Sequence, residues 1–198
     1  MHERTLVAFL NREGDTRFAQ DVCSEWQARV KQSFYKNRDE NFVNEDGSYD
    51  WERIFSLYGT TLLGVLITET FVFSFQIGDG DIMLITSDSI ALVVESEKLL
   101  GTETHSLSKV GAWKHSATSL RMKDIEDDTP YLYMLTTDGF ANSHASDEDF
   151  QKSCRDYYNM IGQYGFDAIK ENLRKWLTET SENGCGDDIT AVLAYIDK

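Results

Sequence analysis

Residues 131–139 read YLYMLTTDG, an apolar run that ends in the pair Asp138-Gly139. The run predicts a buried strand that delivers the carboxylate of Asp138 to its C-terminal edge. Further along, residues 184–190 read GCGDDIT, so that Asp187 and Asp188 stand directly before a second predicted strand. Two acidic turns at the ends of neighbouring strands suit a hard cation such as Mg²⁺ or Mn²⁺, which prefers carboxylate and water oxygens held at rigid positions.

The same two turns have a plainer interpretation. Asp-Gly and Gly-Asp pairs are common turn formers in proteins. On the residues alone, ordinary surface turns are favoured over a metal site, and both interpretations stay open. His144 poses a similar choice, because it follows Asp138 closely and could donate a proton, whereas a solvated loop histidine is favoured.

Composition predicts one cytoplasmic domain over residues 1–198. The chain has 41% hydrophobic and 27% charged residues, which is ordinary for a globular protein. A net charge of -15 argues against a nucleic-acid or anionic-membrane partner, since both need a basic surface. No apolar run is long enough to span a membrane, and the first residues, MHER, do not resemble a signal peptide. Three cysteines match no zinc spacing and are expected to be reduced thiols.

The N-terminal half predicts a long amphipathic helix over Arg17 to Tyr35, followed by a sheet. Apolar residues recur at every fourth position of the helix. They are Phe18, Val22, Trp26, Val30 and Phe34. Four apolar runs joined by tight turns then predict an antiparallel meander, of which the first two strands are covered on both faces. The runs are Leu62–Ile67, Phe71–Ile77, Asp81–Thr86 and Ile90–Val94.

The C-terminal half predicts a long excursion over Glu95 to Ser116, a strand returning at Ala117–Lys123 and two helices. Ser146 is the expected cap of the first helix. Apolar residues give that helix one buried face, and Gly162 and Gly165 are expected to break it. A second amphipathic helix and a strand, Ile189 to Ile196, complete an α+β arrangement.

Four aspartates fall in glycine-containing turns at predicted strand ends. They are Asp79, Asp138, Asp187 and Asp188. If these strands are neighbours, the carboxylates converge, and such a cluster suits hydrolysis of a phosphoester by a pair of metal ions. No phosphate-binding glycine loop and no dinucleotide fingerprint is present in the sequence.

Four short motifs, taken in order, resemble those of the metal-dependent (type 2C, or PPM) serine/threonine phosphatases, with the bacterial branch as the nearest match. They are YGTTL at 58–62, IGDGD at 77–81, TTDGF at 136–140 and GDDIT at 186–190. The resemblance runs from about Thr5 to the C-terminus and reverses the preference for plain surface turns. It implies an antiparallel β-sandwich flanked by helices, with residues 95–116 forming much of a flap beside the active site.

The resemblance also implies a ligand set. Asp138 and Asp187 match the two C-terminal carboxylates that hold the catalytic Mg²⁺ or Mn²⁺ pair, and Asp79 matches the carboxylate associated with a third, weaker metal. The implied partner is a phosphoprotein substrate or a kinase.

One departure from the family pattern bears on activity. The Asp-Gly-x-Gly turn that supplies the family's metal-bridging aspartate is absent from these residues. The sandwich is therefore expected to be N-terminally incomplete, and the chain to be weak or inactive as it stands. A pseudophosphatase that binds a phosphoprotein or a kinase without hydrolysis is the alternative. Unpaired sheet edges would further allow a homodimer.

Overall fold

The computed structural model describes residues 3–37, 40–95, 104–124 and 129–197. It divides into two compact units, each of which is described by itself. The first unit comprises Met1–Ile67, Phe71–Asp79 and Ser96–Arg121, and the second comprises Thr68–Thr70, Gly80–Glu95 and Met122–Lys198. One domain over residues 1–198 stays a prediction.

Helices dominate the N-terminal part of the first unit. Helix α1 spans Glu3–Glu13, a π-helical turn follows at Gly14–Phe18, and helix α2 spans Ala19–Lys36. The predicted helix over Arg17 to Tyr35 is confirmed, with its start shifted because the π-helical turn occupies its first two residues.

The predicted stripe of α2 packs against apolar groups of the same unit. Val30 and Phe34 are buried with Ile54 and Phe55, and Phe18 contacts the ring of Phe73 edge-on at 5.5 Å between centroids. Ile54 and Phe55 come from the short helix α3, Trp51–Ser56, which begins where Asp50 accepts a hydrogen bond from the backbone of Arg53.

Within the described ranges, seven strands form two antiparallel sheets. They are β1 Leu62–Ile67, β2 Phe71–Ile77, β3 Asp81–Thr86, β4 Ile90–Leu92, β5 Ala117–Met122, β6 Tyr131–Thr136 and β7 Ala191–Ile196. The first unit holds a sheet of order β1-β2-β5, and the second holds a sheet of order β4-β3-β6-β7. The predicted α+β class with antiparallel sheets is confirmed.

The predicted four-stranded meander is wrong. Strand β2 pairs with β1 and β5, whereas β3 pairs with β4 and β6, so the chain changes sheets between Ile77 and Asp81. The partner of β3 lies far along the sequence, with Asp81 opposite Thr136 and Ile85 opposite Leu132. A local pattern of runs and turns cannot reveal such long-range pairing.

Full coverage of the first two strands is correct for β2 and wrong for β1. Every residue of β2 is buried, but Leu66 in β1 is 44% exposed. Among the described strands, β1 has β2 as its single neighbour, and this edge position leaves its side chains partly open to solvent.

In the described part of the second unit, three helices accompany the sheet. They are α4 Asp138–Asn142, α5 Asp147–Tyr164 and α6 Phe166–Asn183. Ser146 caps α5 as predicted, since its Oγ accepts a hydrogen bond from the backbone of Asp149 at 3.2 Å. Gly165, with φ of +81°, ends the helix, but Gly162 lies inside it, so the predicted break at Gly162 is wrong.

The buried face of α5 is the predicted one, and it packs on strands β3 and β6 of the same unit. It comprises Phe150, Cys154, Tyr157 and Ile161. Part of the predicted flap, residues 96–103, and part of the acidic turn before β6, residues 125–128, lie outside the described residues.

None of the described helices is both long enough and apolar enough to cross a membrane. The cytoplasmic location and the absence of a nucleic-acid partner stay predictions.

Candidate functional site

The two acidic turns of the second unit are joined by Thr137, which lies between β6 and α4. Its backbone N–H donates to the carbonyl of Thr190 at 3.0 Å, and its Oγ1 accepts from the N–H of Thr190 at 2.9 Å. The same hydroxyl donates to the carbonyl of Asp188 at 3.2 Å. Thr137 therefore holds the residues just before Asp138 against the residues just after Asp187.

Gly139 brings the two turns into direct contact. A β-carbon at this position would lie 2.6 Å from the carbonyl oxygen of Asp188 and 3.4 Å from the Cβ of Asp187. The first distance is shorter than any ordinary van der Waals contact, so glycine is required for the approach. The side chain of Asp187 thus lies beside the residue that follows Asp138, and the turns that carry these two predicted ligands are in contact. We call this region, residues 137–143 and 184–190, the acidic corner.

Ser143 forms a second contact between the two turns of the acidic corner, next to Gly184 and Cys185. Its Oγ donates to the carbonyl of Gly139 at 2.7 Å and lies 3.3 Å from the Sγ of Cys185. Gly184 packs so closely on Ser143 that a β-carbon at 184 would lie 2.4 Å from the serine Cβ. Both turns are consequently held at two points by hydroxyl groups and by close glycine contacts.

Hydrogen bonds orient both carboxylates. Asn142 Nδ2 donates to Asp138 Oδ2 at 3.3 Å, one helical turn away on α4. The backbone N–H of Asp188 donates to Asp187 Oδ1 at 2.8 Å, while Ser181 Oγ donates to the carbonyl of Asp187 at 2.6 Å. Asp138 is half-buried and Asp187 is exposed, so the corner opens to solvent on the side of Asp187.

The donor set of the acidic corner fits a hard divalent cation. Magnesium is commonly bound through one or two carboxylates while it keeps several of its waters. Within the described ranges, however, the structure contains no group of three or more His, Cys, Asp or Glu side chains placed to share one ion. Asp138 and Asp187 therefore suit a water-rich site better than a closed one.

Asp79 belongs to the first unit, where it is half-buried at the end of β2. Its Oδ2 accepts a short hydrogen bond from Thr104 Oγ1, which lies at the described end of the predicted flap. That Asp79 shares a metal site with Asp138 and Asp187 stays a prediction.

His144 is a half-buried residue rather than the solvated loop histidine that the sequence favoured. Its Nδ1 lies 2.8 Å from the carbonyl of Phe140, and its ring packs edge-on against Phe140 at 4.9 Å between centroids. These contacts give His144 a packing role beside the corner.

Sequence reasoning missed the polar residues that hold the acidic corner together. They are Thr137, Asn142, Ser143 and Ser181. Threonine and serine are common in turns and helix ends, so nothing in their spacing marked them. Two weak signals were available: Thr137 directly precedes Asp138, and Asn142 stands one helical turn after it.

Comparison with known proteins identifies relatives of this architecture. A family model described as protein phosphatase 2C matches residues 3–178. No curated protein gives a match.

Solved structures with a similar fold include the Mycobacterium tuberculosis serine/threonine phosphatase PstP/Ppp. It is 14% identical, the alignment covers 92% of this chain and 84% of that chain, and the TM-score is 0.50. The catalytic domain of the phosphatase PstP in complex with two manganese ions is 13% identical over 89% and 82% of the chains, with a TM-score of 0.51. The Staphylococcus aureus serine/threonine phosphatase Stp1 is 16% identical over 89% and 78%, with a TM-score of 0.48.

Proposed function

This chain belongs to the protein phosphatase 2C family, and from that membership we propose that its acidic corner binds Mg²⁺ or Mn²⁺ and serves phosphoserine and phosphothreonine hydrolysis in proteins. The observation that supports the proposal is the contact of Gly139 with Asp187 and Asp188, which packs the turn that begins at Asp138 against the turn that contains Asp187. A solved relative in this family was crystallised with two manganese ions.

Each residue of the corner has a defined task in this proposal. Asp138 and Asp187 hold the cation, Asn142 and the Asp188 amide fix the direction of the two carboxylates, and Thr137 keeps the turns at a constant separation. A divalent cation bound there would neutralise phosphoryl oxygens and lower the pKa of a water molecule. Charge neutralisation matters because a chain of net charge -15 otherwise repels a phosphate group.

We further propose that hydrolysis by this chain alone is weak. Two carboxylates without a third acidic ligand, which the described residues do not offer, hold a pair of metal ions poorly. The same observation favours a second candidate function, in which the chain is a pseudophosphatase that binds a phosphoprotein or a kinase without hydrolysing phosphate.

Calorimetric titration with Mn²⁺ tests the metal site directly. We expect Asp138→Asn and Asp187→Asn each to weaken binding by at least about tenfold, because each removes one charged ligand. Asp167→Asn removes an equal charge from the exposed start of α6 and is expected to leave the affinity unchanged. Equal affinities in all four proteins would remove the acidic corner from the proposal.

Hydrolysis of p-nitrophenyl phosphate with and without Mn²⁺ separates the two functions. Slow turnover that Mn²⁺ stimulates and Asp138→Asn abolishes supports an enzyme. If the chain does not hydrolyse p-nitrophenyl phosphate but still binds a phosphoserine peptide, the result supports the pseudophosphatase function.

A further inference from the structure

A groove of about 590 Å³ lies between α5 and α6 in the second unit. Each helix lines the groove with one of its faces, because residues three, four and seven positions apart on a helix lie on the same side. From α5 the groove is lined by Asp156, Tyr157 and Met160, and from α6 by Trp176 and Glu179. None of these five side chains has a role in the acidic corner.

Aromatic rings form the walls of this groove. The rings of Tyr157 and Trp176 lie 6.1 Å apart between centroids, with an angle of 57° between their planes. Tyr157 is buried, whereas Trp176 is half-buried and lines the groove, and the electron-rich face of an indole attracts cations. Met160 adds a polarisable thioether to the lining.

Tyr157 carries an unused polar group. It lines the groove although it is 5% exposed, and its hydroxyl has no hydrogen-bond partner among the residues that the structure describes. Burial, and secondarily the nearby Cys154, raise the pKa of Tyr157 to about 12, so the phenol is neutral at physiological pH. Its oxygen can accept a hydrogen bond from a ligand N–H.

The charges that line the groove have one sign. Asp156 and Glu179 are exposed carboxylates, and none of the described lining residues is a lysine or an arginine. Lys175 Nζ approaches Glu179 Oε1 at 3.8 Å, but both side chains are more than half exposed, so this pair is weak. The ion pairs of the described residues, Arg29 with Glu25 and Lys175 with Glu179, do not include Asp156. The groove therefore combines negative charge, the half-buried indole of Trp176 and an unpaired hydroxyl.

We propose that the groove between α5 and α6 binds the arginine or lysine side chain of a protein substrate. The cation would lie against Trp176, and its N–H groups would donate to Asp156, Glu179 and the oxygen of Tyr157. Assignment to a substrate rests on the proposed function, whereas binding of the cationic side chain does not.

The position of the groove favours a side chain on the substrate over a free cation. Ser143 lines the groove and also donates to the carbonyl of Gly139 within the acidic corner, so the two features share a wall. The five residues of α4 from Asp138 to Asn142 extend about 7 Å along their axis. An extended peptide advances about 3.3 Å per residue, which places the basic residue about two positions from the phosphorylated one.

Nuclear magnetic resonance of the full chain, with EDTA present, tests this site without metal or phosphate. The probe is an unphosphorylated peptide with one arginine among glycine, serine and alanine, and its partner peptide has neutral citrulline in place of arginine. The signal is the indole N–H of Trp176, identified by its loss in Trp176→Phe. We expect the arginine peptide to shift this signal saturably and to bind at least about tenfold more tightly than the citrulline peptide.

Paired variants test the carboxylates. The double variant Asp156→Asn/Glu179→Gln is expected to lose the preference for arginine. The matched control Asp167→Asn/Glu171→Gln removes the same charge from exposed positions of α6 outside the groove lining and is expected to keep it. Equal binding of both peptides, or an equal loss in both double variants, overturns the site.

Spermidine distinguishes the source of the cation. Tighter binding of spermidine than of the arginine peptide overturns the assignment to a protein substrate. Because no arm contains phosphate or metal, these results are independent of whether Asp138 and Asp187 bind Mn²⁺.

Discussion

The carbonyl oxygen of Asp188 lies 2.6 Å from the point that a β-carbon on Gly139 would occupy. No side chain fits between these two residues, so the backbone of one acidic turn rests on the backbone of the other. The arrangement converts a sequence separation of about fifty residues into direct contact. The turn that contains Asp187 lies against the turn that begins at Asp138 because of this packing, and the candidate metal site depends on it.

Gly139→Ala is expected to force the two turns apart. The added methyl group meets a backbone carbonyl, which cannot swing aside as a flexible side chain can. We expect a loss of about 1–3 kcal/mol in the free energy of unfolding, measured in urea, together with weaker Mn²⁺ binding.

The matched control for this change is Gly162→Ala. Gly162 lies inside α5, and a β-carbon there would meet nothing within 4 Å. Alanine is the better helix former, so this variant is expected to gain up to about 1 kcal/mol. If Gly139→Ala proves as stable as Gly162→Ala, the close contact at Gly139 is incorrect.

Thr137→Val tests the hydroxyl that joins the two turns. Valine keeps the shape of the side chain but removes the donor to the Asp188 carbonyl and the acceptor for the Thr190 N–H. Each lost hydrogen bond costs about 1 kcal/mol, so we expect unfolding to become about 1–2 kcal/mol easier. Mn²⁺ binding, followed by calorimetry, is expected to weaken in parallel.

Thr178→Val serves as the comparison for Thr137→Val. The Thr178 hydroxyl donates to the carbonyl of Arg174 on the exposed side of α6. Its removal is expected to change stability by less than about 0.5 kcal/mol and to leave Mn²⁺ binding intact. Similar effects of the two substitutions would argue against a special role for Thr137.

Local pattern was sufficient to predict several strands and helices. Leu62–Ile67 and Phe71–Ile77 are strands with the predicted bounds, and Tyr131–Thr136 is the strand predicted before Asp138, because each is an apolar run enclosed by turn residues. The pairing of β3 with β6 was not predictable, since it joins runs that lie far apart and the choice depends on the whole core. The π-helical turn at Gly14–Phe18 could not be predicted either, because it does not change the spacing of the apolar residues in the sequence.

The aspartates of the candidate site could be predicted from the sequence, whereas the polar residues that hold its two turns together could not. The glycine-containing turns at Asp138 and Asp187 predicted ligands, and the structure brings the two turns into contact at Gly139. Asp138 proved to begin the short helix α4 instead of lying in an open turn, and that helix is what brings Asn142 to its carboxylate. A hydrogen bond between two short polar side chains depends on backbone angles that residue type does not specify.

Cysteine reactivity provides a further prediction, because burial distinguishes the three thiols. Cys23 and Cys154 are buried, whereas Cys185 is exposed. Burial, followed by the charge of Asp81, raises the pKa of Cys154 to about 12. At pH 8 such a thiol is ionised to only about one part in 10⁴, and the thiolate is the reactive form. We expect a single thiol to react rapidly with Ellman's reagent in the folded chain, and guanidinium to release the other two.

Cys185→Ser identifies the reactive group. This variant is expected to lose the fast phase while its unfolded state still shows two thiols. A fast phase that survives in Cys185→Ser would mean that Cys23 or Cys154 is accessible in the folded protein.

Strand β7 lies at the edge of the second unit's sheet, and we predict that the chain self-associates through this edge. The backbone hydrogen bond from Thr137 to Thr190 shows which residues of β7 direct their backbone groups toward β6, since these alternate along an antiparallel strand. The backbone groups of Val192 and Ala194 therefore bond to β6. By the same alternation Ala191, Leu193 and Tyr195 direct their N–H and C=O groups away from β6, where the described residues provide no further strand. An edge without charge, glycine or proline invites a second copy to pair.

The other sheet edges are less suited to this pairing. Strand β1 contains Gly64, β5 contains Arg121, and β4 is three residues long.

We therefore expect the chain to dimerise across β7 at high concentration, as measured by sedimentation equilibrium. Val192→Lys is expected to restore the monomer, because the two lysines of the dimer would repel each other. Val192 is 55% exposed, so lysine fits without disturbing the core. Val110→Lys, at an 86% exposed position outside the strands, is the control and should dimerise as the unmodified chain does. A monomer at every concentration, or a dimer that Val192→Lys does not weaken, would show that this edge is not used.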